Sequence, residues 1–89
     1  DSYLNNVTLG GKEITLTDIE YRMLKLMASH RNKIFSSQNL YESVWEEPYS
    51  YSSNNTVMLH IRKLRVKIEV NPKNPKYIKT VWGRGYRVE

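Results

Sequence analysis

Eighty-nine residues with no cysteine, and 14 Lys+Arg against 9 Asp+Glu for a net charge of +5, leave room for one domain with a modest core. Without cysteine there is no disulfide scaffold, cysteine nucleophile or thiolate metal site, and two histidines, His30 and His60, offer little for another kind of metal centre; no cofactor is expected. No apolar run approaches the roughly 18 residues that span a bilayer, and no signal peptide opens the chain, so a basic cytoplasmic domain without membrane contact is the expectation.

Along the chain, residues 1–6 read as a linker or the remnant of a strand, and residues 7–89 as the folded domain. Val7–Leu9 and Glu13–Leu16 flank Gly10-Gly11, which predicts two short strands around a glycine turn. Thr17-Asp18-Ile19-Glu20 is a capping box that opens a helix. Ile19, Met23, Leu24, Leu26 and Met27 follow at helical spacing, and Asn32 is a left-handed stop. Lys33-Ile34-Phe35 can add a short strand. Ser36 caps a second helix bearing Leu40, Tyr41, Val44 and Trp45, which Pro48 and Ser50-Tyr51-Ser52-Ser53 end in a loop. A third helix runs from about residue 54 to 69. After the turns at Asn71-Pro72 and Asn74-Pro75, Tyr77–Val81 and Tyr86–Val88 form a hairpin around Trp82-Gly83-Arg84-Gly85.

Charge divides unevenly along this order. Residues 1–53 hold five cations against seven acids, a net of −2, whereas residues 54–89 hold nine against two, a net of +7. Such a basic third suits a polyanion. Advancing about 100° per residue along the third helix groups Val57, Ile61, Leu64 and Ile68 in one apolar stripe. Asn55, Leu59, Arg62, Lys63 and Val66 fall on the opposite side, Arg65 flanks the stripe, and Thr56, His60 and Lys67 lie on the other flank. A 16-residue helix is roughly 24 Å long, and a DNA major groove about 12 Å wide admits it side-on. Lysine or arginine can donate to guanine, and an exposed leucine such as Leu59 can touch a thymine methyl.

The hairpin offers a second contact. Arg84 sits between two glycines and either reaches a minor groove or solvates the turn. The hydroxyls of Thr80 and Tyr86 can donate to phosphates or pair across strands. Ser36 and the amides opening the second helix form another phosphate site. Catalysis is not expected, because the glycine pairs lack nucleotide-loop spacing and neither histidine has a partner at a recognisable distance.

Together these residues resemble a known family. Leu16-Thr17-x-x-Glu20, Phe35-Ser36, Val44-Trp45, Asn55-Thr56-Val57, His60-Ile61-Arg62-x-Leu64-Arg65 and Tyr77-Ile78-x-Thr80-Val81-x-Gly83-x-Gly85-Tyr86-Arg87 resemble the effector domain of OmpR/PhoB-type response regulators across residues 7–88. The resemblance implies an α+β winged helix-turn-helix with a short N-terminal antiparallel sheet, three helices and a C-terminal hairpin wing. It implies a bacterial transcription factor of a two-component system. By position, Thr56, Leu59 and Lys63 would face bases, while Ser36, Trp45, Asn55, His60, Arg62, Arg65, Lys67, Thr80 and Tyr86 would lie along phosphates. Because Trp82 stands at the family's wing-arginine position, the minor-groove contact would move to Arg84 or be lost. The loop carrying Glu46, Glu47, Tyr49 and Tyr51 would meet RNA polymerase, or serve only as a solvated loop.

The family also implies a homodimer on direct-repeat DNA, a monomer when this domain is isolated, and a receiver domain before Asp1. Three departures stand out. Asn55 and Lys63 occupy positions where many members carry arginine or lysine at one or both, Trp82 stands where several carry the wing arginine, and two N-terminal strands are legible where about four are general. The competing expectation is a winged-helix module docking an acidic protein partner.

Overall fold

The computed structural model describes residues 4–89, arranged as β1 (Leu4–Leu9), β2 (Lys12–Thr17), α1 (Asp18–Ala28), α2 (Ser37–Trp45), α3 (Ser53–Ile68), β3 (Ile78–Val81) and β4 (Gly85–Val88). β1 and β2 pair antiparallel from Leu4↔Thr17 to Leu9↔Lys12. The strand therefore extends back to Leu4, and Leu4–Asn6 are paired strand rather than linker; Asp1–Tyr3 lie outside the described residues. The Thr15 hydroxyl donates to Asn6 Oδ1 at 2.8 Å across that pair.

The capping box forms as the sequence dictates. Thr17 Oγ1 accepts the Glu20 N–H at 3.3 Å, and Glu20 Oε1 accepts the Thr17 N–H at 2.9 Å. α1 ends at Ala28 with Ser29 as a right-handed C-cap, earlier than expected. Asn32 takes a left-handed φ of 69° in the turn that follows rather than at the helix end, and its N–H donates to the Val88 carbonyl at 2.7 Å. The expected strand at Lys33–Phe35 shrinks to one residue: Phe35 bridges Tyr86 through two backbone bonds of 2.8 and 2.9 Å.

α2 ends before Pro48. Glu46 turns left-handed at φ 56°, and Arg22 Nη1 reaches from α1 to both the Val44 carbonyl and the Glu46 carboxylate at 3.3 Å. α3 begins one or two residues earlier than the asparagines suggest. Ser53 is buried, and its Oγ accepts the Ser50 N–H at 2.9 Å, so a local turn sets the start.

The core draws on every element from β2 onward: Leu16, Met23, Met27, Phe35, Leu40, Val44, Ile78 and Val88 surround the α3 stripe Val57, Ile61, Leu64 and Ile68. That stripe leaves the opposite face of α3 outward. β3 and β4 then pair from Ile78↔Val88 to Val81↔Gly85 and stand beside α3 as the wing. No helix among the described residues is long and apolar enough to cross a membrane.

Candidate nucleic-acid interface

With the stripe buried, Asn55, Met58, Leu59, Arg62, Lys63 and Val66 stand in solvent along α3. Leu59 is 45% exposed and Met58 44%, so Met58 shares the open face to the same degree. Met58 sits at the border of that face, on the side toward the wing, where helical spacing alone does not single it out. No carboxylate among the described residues lies within ion-pair distance of Arg62, Lys63 or Arg84. Their charge is free for an external anion.

Two cations expected on phosphates have internal partners instead. Arg65 Nε and Nη2 donate to the Ile78 carbonyl at 3.2 and 2.8 Å, and Nη2 also donates to Thr80 Oγ1 at 2.8 Å. Its guanidinium lies 5.8 Å from the Tyr86 ring centroid. Burial lowers the Arg65 pKa while Tyr86 and Glu69 oppose that shift, and burial raises that of Tyr86 against the pull of Arg65. Arg65 thus clamps β3 and β4 to α3. Lys67 Nζ donates to Glu20 Oε1 at 2.6 Å, which neutralises a carboxylate that is 2% exposed. Helical azimuth locates a side chain but carries no information about a partner 47 residues earlier, so these roles escape the sequence.

The other expected phosphate ligands form the borders of the face. His60 Nδ1 lies 2.8 Å from the Thr56 carbonyl; that contact requires a proton on Nδ1 and leaves Nε2 as the outward-acting atom. The His60 ring meets Trp45 edge-on at 5.0 Å, Trp45 stacks on Tyr41 at 5.1 Å, and Tyr41 meets Tyr49 at 6.0 Å. The aromatic chain braces α2 and its following loop against α3. Thr56 is half-buried, with its hydroxyl 3.4 Å from the Ser52 carbonyl. Ser36 Oγ accepts the Asn39 N–H at 3.0 Å as the α2 cap.

Of the loop residues, Glu46 is paired with Arg22 and Tyr49 packs on Tyr41, whereas Glu47 and Tyr51 are exposed. At the wing, Thr80 and Arg84 are exposed, Tyr86 is half-buried, and Trp82 is 90% exposed.

Two grooves separate α3 from the wing. One, of about 630 Å³, lies between Met58, Arg62 and Val66 on α3 and Thr80, Trp82 and Tyr86, with Lys73 also in its lining. The other, of about 550 Å³, lies between Ser36–Gln38, Asn54, Met58 and the turn from Val81 to Tyr86. A cationic helix face with a wing beside it defines a transcriptional regulator domain of the winged helix-turn-helix class.

Residues 11–88 match the family described as "Transcriptional regulatory protein, C terminal", and the chain belongs to that family, the C-terminal effector domains of OmpR/PhoB-type response regulators. It is 66% identical over 83 residues to the "Uncharacterized transcriptional regulatory protein YrkP" of Bacillus subtilis, covering 93% of this chain and 36% of that protein; it thus spans about a third of that relative's length. The fold is similar to that of DrrB, a Thermotoga maritima OmpR/PhoB homolog, with a TM-score of 0.82 at 37% identity over 93% of this chain and 37% of that one. It is also similar to the DNA-binding domain of Klebsiella pneumoniae RstA, solved in complex with the RstA box, with a TM-score of 0.72 at 27% identity over 93% and 81% of the two chains.

Proposed function

We propose that the chain binds duplex DNA sequence-specifically as the effector end of a bacterial two-component response regulator, working in the cytoplasm. α3 lies in the major groove and the wing meets the minor groove. The observation that carries this reading is the outer face of α3, where Leu59, Arg62 and Lys63 are exposed and the cations lack internal carboxylate partners among the described residues.

Thr56, Leu59 and Lys63, joined by Met58, face bases. Asn55, His60 and Arg62 on α3, with Ser36, Trp45, Thr80 and Tyr86 around it, follow the phosphates. Arg65 and Lys67 act from behind, holding the wing and α1 against the reading helix. Glu47 and Tyr51 are the loop residues left available to RNA polymerase. The isolated domain is a monomer that dimerises on direct repeats about one helical turn apart, and a receiver domain precedes this segment. It performs no catalysis.

Selection of bound duplexes from a random pool tests the reading. Lys63→Ala relaxes preference at one base pair by about 1–3 kcal/mol. Arg62→Ala weakens every sequence alike and lowers the slope of log affinity against log salt by about one. If Lys63→Ala yields the same selected sequence as the wild-type chain, the base-reading role of Lys63 is lost.

A further inference from the structure

The largest apolar side chain at the wing tip faces water. Trp82 opens the turn between β3 and β4 and is 90% exposed, in a chain whose other tryptophan is packed between Tyr41 and His60. A single exposed leucine on a surface needs no explanation; an indole carried at the apex of a held hairpin is a contact without its partner.

The surroundings identify that partner. Trp82 borders both grooves between α3 and the wing, as Met58 does, so the tryptophan stands on the α3 side of the hairpin. Arg62 and Lys73 line one groove and Arg84 the other, and neither groove is lined by an aspartate or glutamate. The hairpin cannot swing away, because Arg65 holds β3 and Phe35 holds β4. An exposed indole bordering two grooves that hold cations and no acids suits a polyanion that also offers an apolar slot. A duplex minor groove is about 6 Å wide, its walls are deoxyribose C–H groups, and an aromatic ring about 3.5 Å thick enters it edge-on.

We propose that Trp82, rather than Arg84, is the wing's minor-groove side chain, with Arg84 on the flanking phosphate. The proposal rests on the duplex-binding reading above. The guanine amino group projects into the minor groove and blocks the indole, so the wing favours A·T pairs beneath it. The wing therefore reads shape and groove-floor sterics through apolar contact, where a guanidinium would read electrostatic potential.

The test uses duplexes recovered by selection on the wild-type chain, with diaminopurine replacing adenine one position at a time. That base adds an amino group to the minor groove and keeps adenine's major-groove edge. At one or two adjacent positions outside the α3 half-site, wild-type affinity falls about tenfold, while Trp82→Ala is indifferent to the substitution. On unmodified duplex, Trp82→Ala binds about tenfold more weakly yet selects the same major-groove sequence. The fluorescence change on binding, taken as wild type minus Trp82→Phe, assigns a burial signal to Trp82 itself.

Equal diaminopurine sensitivity in wild type and Trp82→Ala, or sensitivity removed by Arg84→Ala instead, overturns the proposal. A wild-type chain that recovers no duplex even at low salt overturns the underlying reading, and this one with it.

Discussion

At each end of the described chain a two-stranded antiparallel hairpin turns through glycine, at Gly10-Gly11 between β1 and β2 and at Gly83-Arg84 between β3 and β4. The first keeps its strand bonding within the pair and meets the helices through side chains, led by the buried Leu16 with Val7, Leu9 and Ile14 against the core. The second is tied down from several directions. Phe35 bridges β4, the Asn32 N–H donates to Val88, and the Glu69 carboxylate accepts the N–H groups of Lys76, Tyr77 and Ile78 at 2.8 to 3.2 Å. Arg65 adds its bond to Ile78. A hairpin that only packs tolerates small tilts. One that must meet DNA at a fixed angle to α3 needs directional anchors from outside itself.

Two matched substitutions break that contrast most sharply. A Cβ on Gly85 would lie 2.0 Å from the Phe35 carbonyl oxygen, at φ +138°, so backbone must move against backbone. Gly85→Ala costs about 4 kcal/mol or more, seen as a large fall in Tm. Gly11 also has a left-handed φ, +80°, but a Cβ there meets nothing within 4 Å. Gly11→Ala costs about 1 kcal/mol, the price of the backbone conformation alone. Equal losses at the two positions would mean that the wing is no better anchored than the first hairpin.

A smaller effect follows at Glu69, which ends α3 and is 7% exposed. Its two oxygens organise the chain from Lys76 to Ile78 as it enters β3. Glu69→Gln turns an amide N–H₂ toward backbone N–H donors and removes charge-assisted bonds, destabilising by about 2 kcal/mol. Hydrogen exchange at the Tyr77 and Ile78 amides rises well before that of β1 and β2. Uniform exchange across both hairpins would deny the carboxylate its local role.

Elements governed by local chemistry were legible in the sequence. The Thr17–Glu20 box, the left-handed Asn32 and the Val57–Ile68 stripe each follow from side chains a few residues apart, and the structure places them accordingly. Elements governed by distant partners were not. Asn5 and Asn6 are poor strand formers, yet pairing with Leu16 and Thr15 makes them strand. Arg22 reaches across from α1 to the Val44 carbonyl at the end of α2, a helix that ends through the left-handed Glu46 before its proline. On the candidate interface, spacing identifies the outer face of α3 and sets Arg65 nearer the buried stripe than Arg62, but it does not show which expected phosphate ligand has an internal partner. The Ile78 carbonyl and the Thr80 hydroxyl make Arg65 a clamp and leave Arg62 exposed.

A further, modest effect concerns the support beneath α3 rather than the wing. Burial alone would push the Glu20 carboxyl up; the Lys67 ammonium and the Thr17 amide and hydroxyl outweigh it and hold the group below its ordinary value of 4.5. Because the folded-state pKa is the lower one, this stabilisation is fully present above the unfolded value and disappears as pH falls through the folded value. Wild type therefore loses Tm as pH falls below about 4.5. Glu20→Gln, which keeps an acceptor for the Thr17 N–H but abolishes the ion pair, costs about 1–2 kcal/mol at neutral pH and shows a flatter acid limb. The wing anchors are unchanged in that variant, so amide protection at Phe35 and Tyr86 stays at the wild-type level relative to global stability. Parallel acid limbs in the two proteins would assign Lys67 to solvent, and return it to the set of cations available for phosphate.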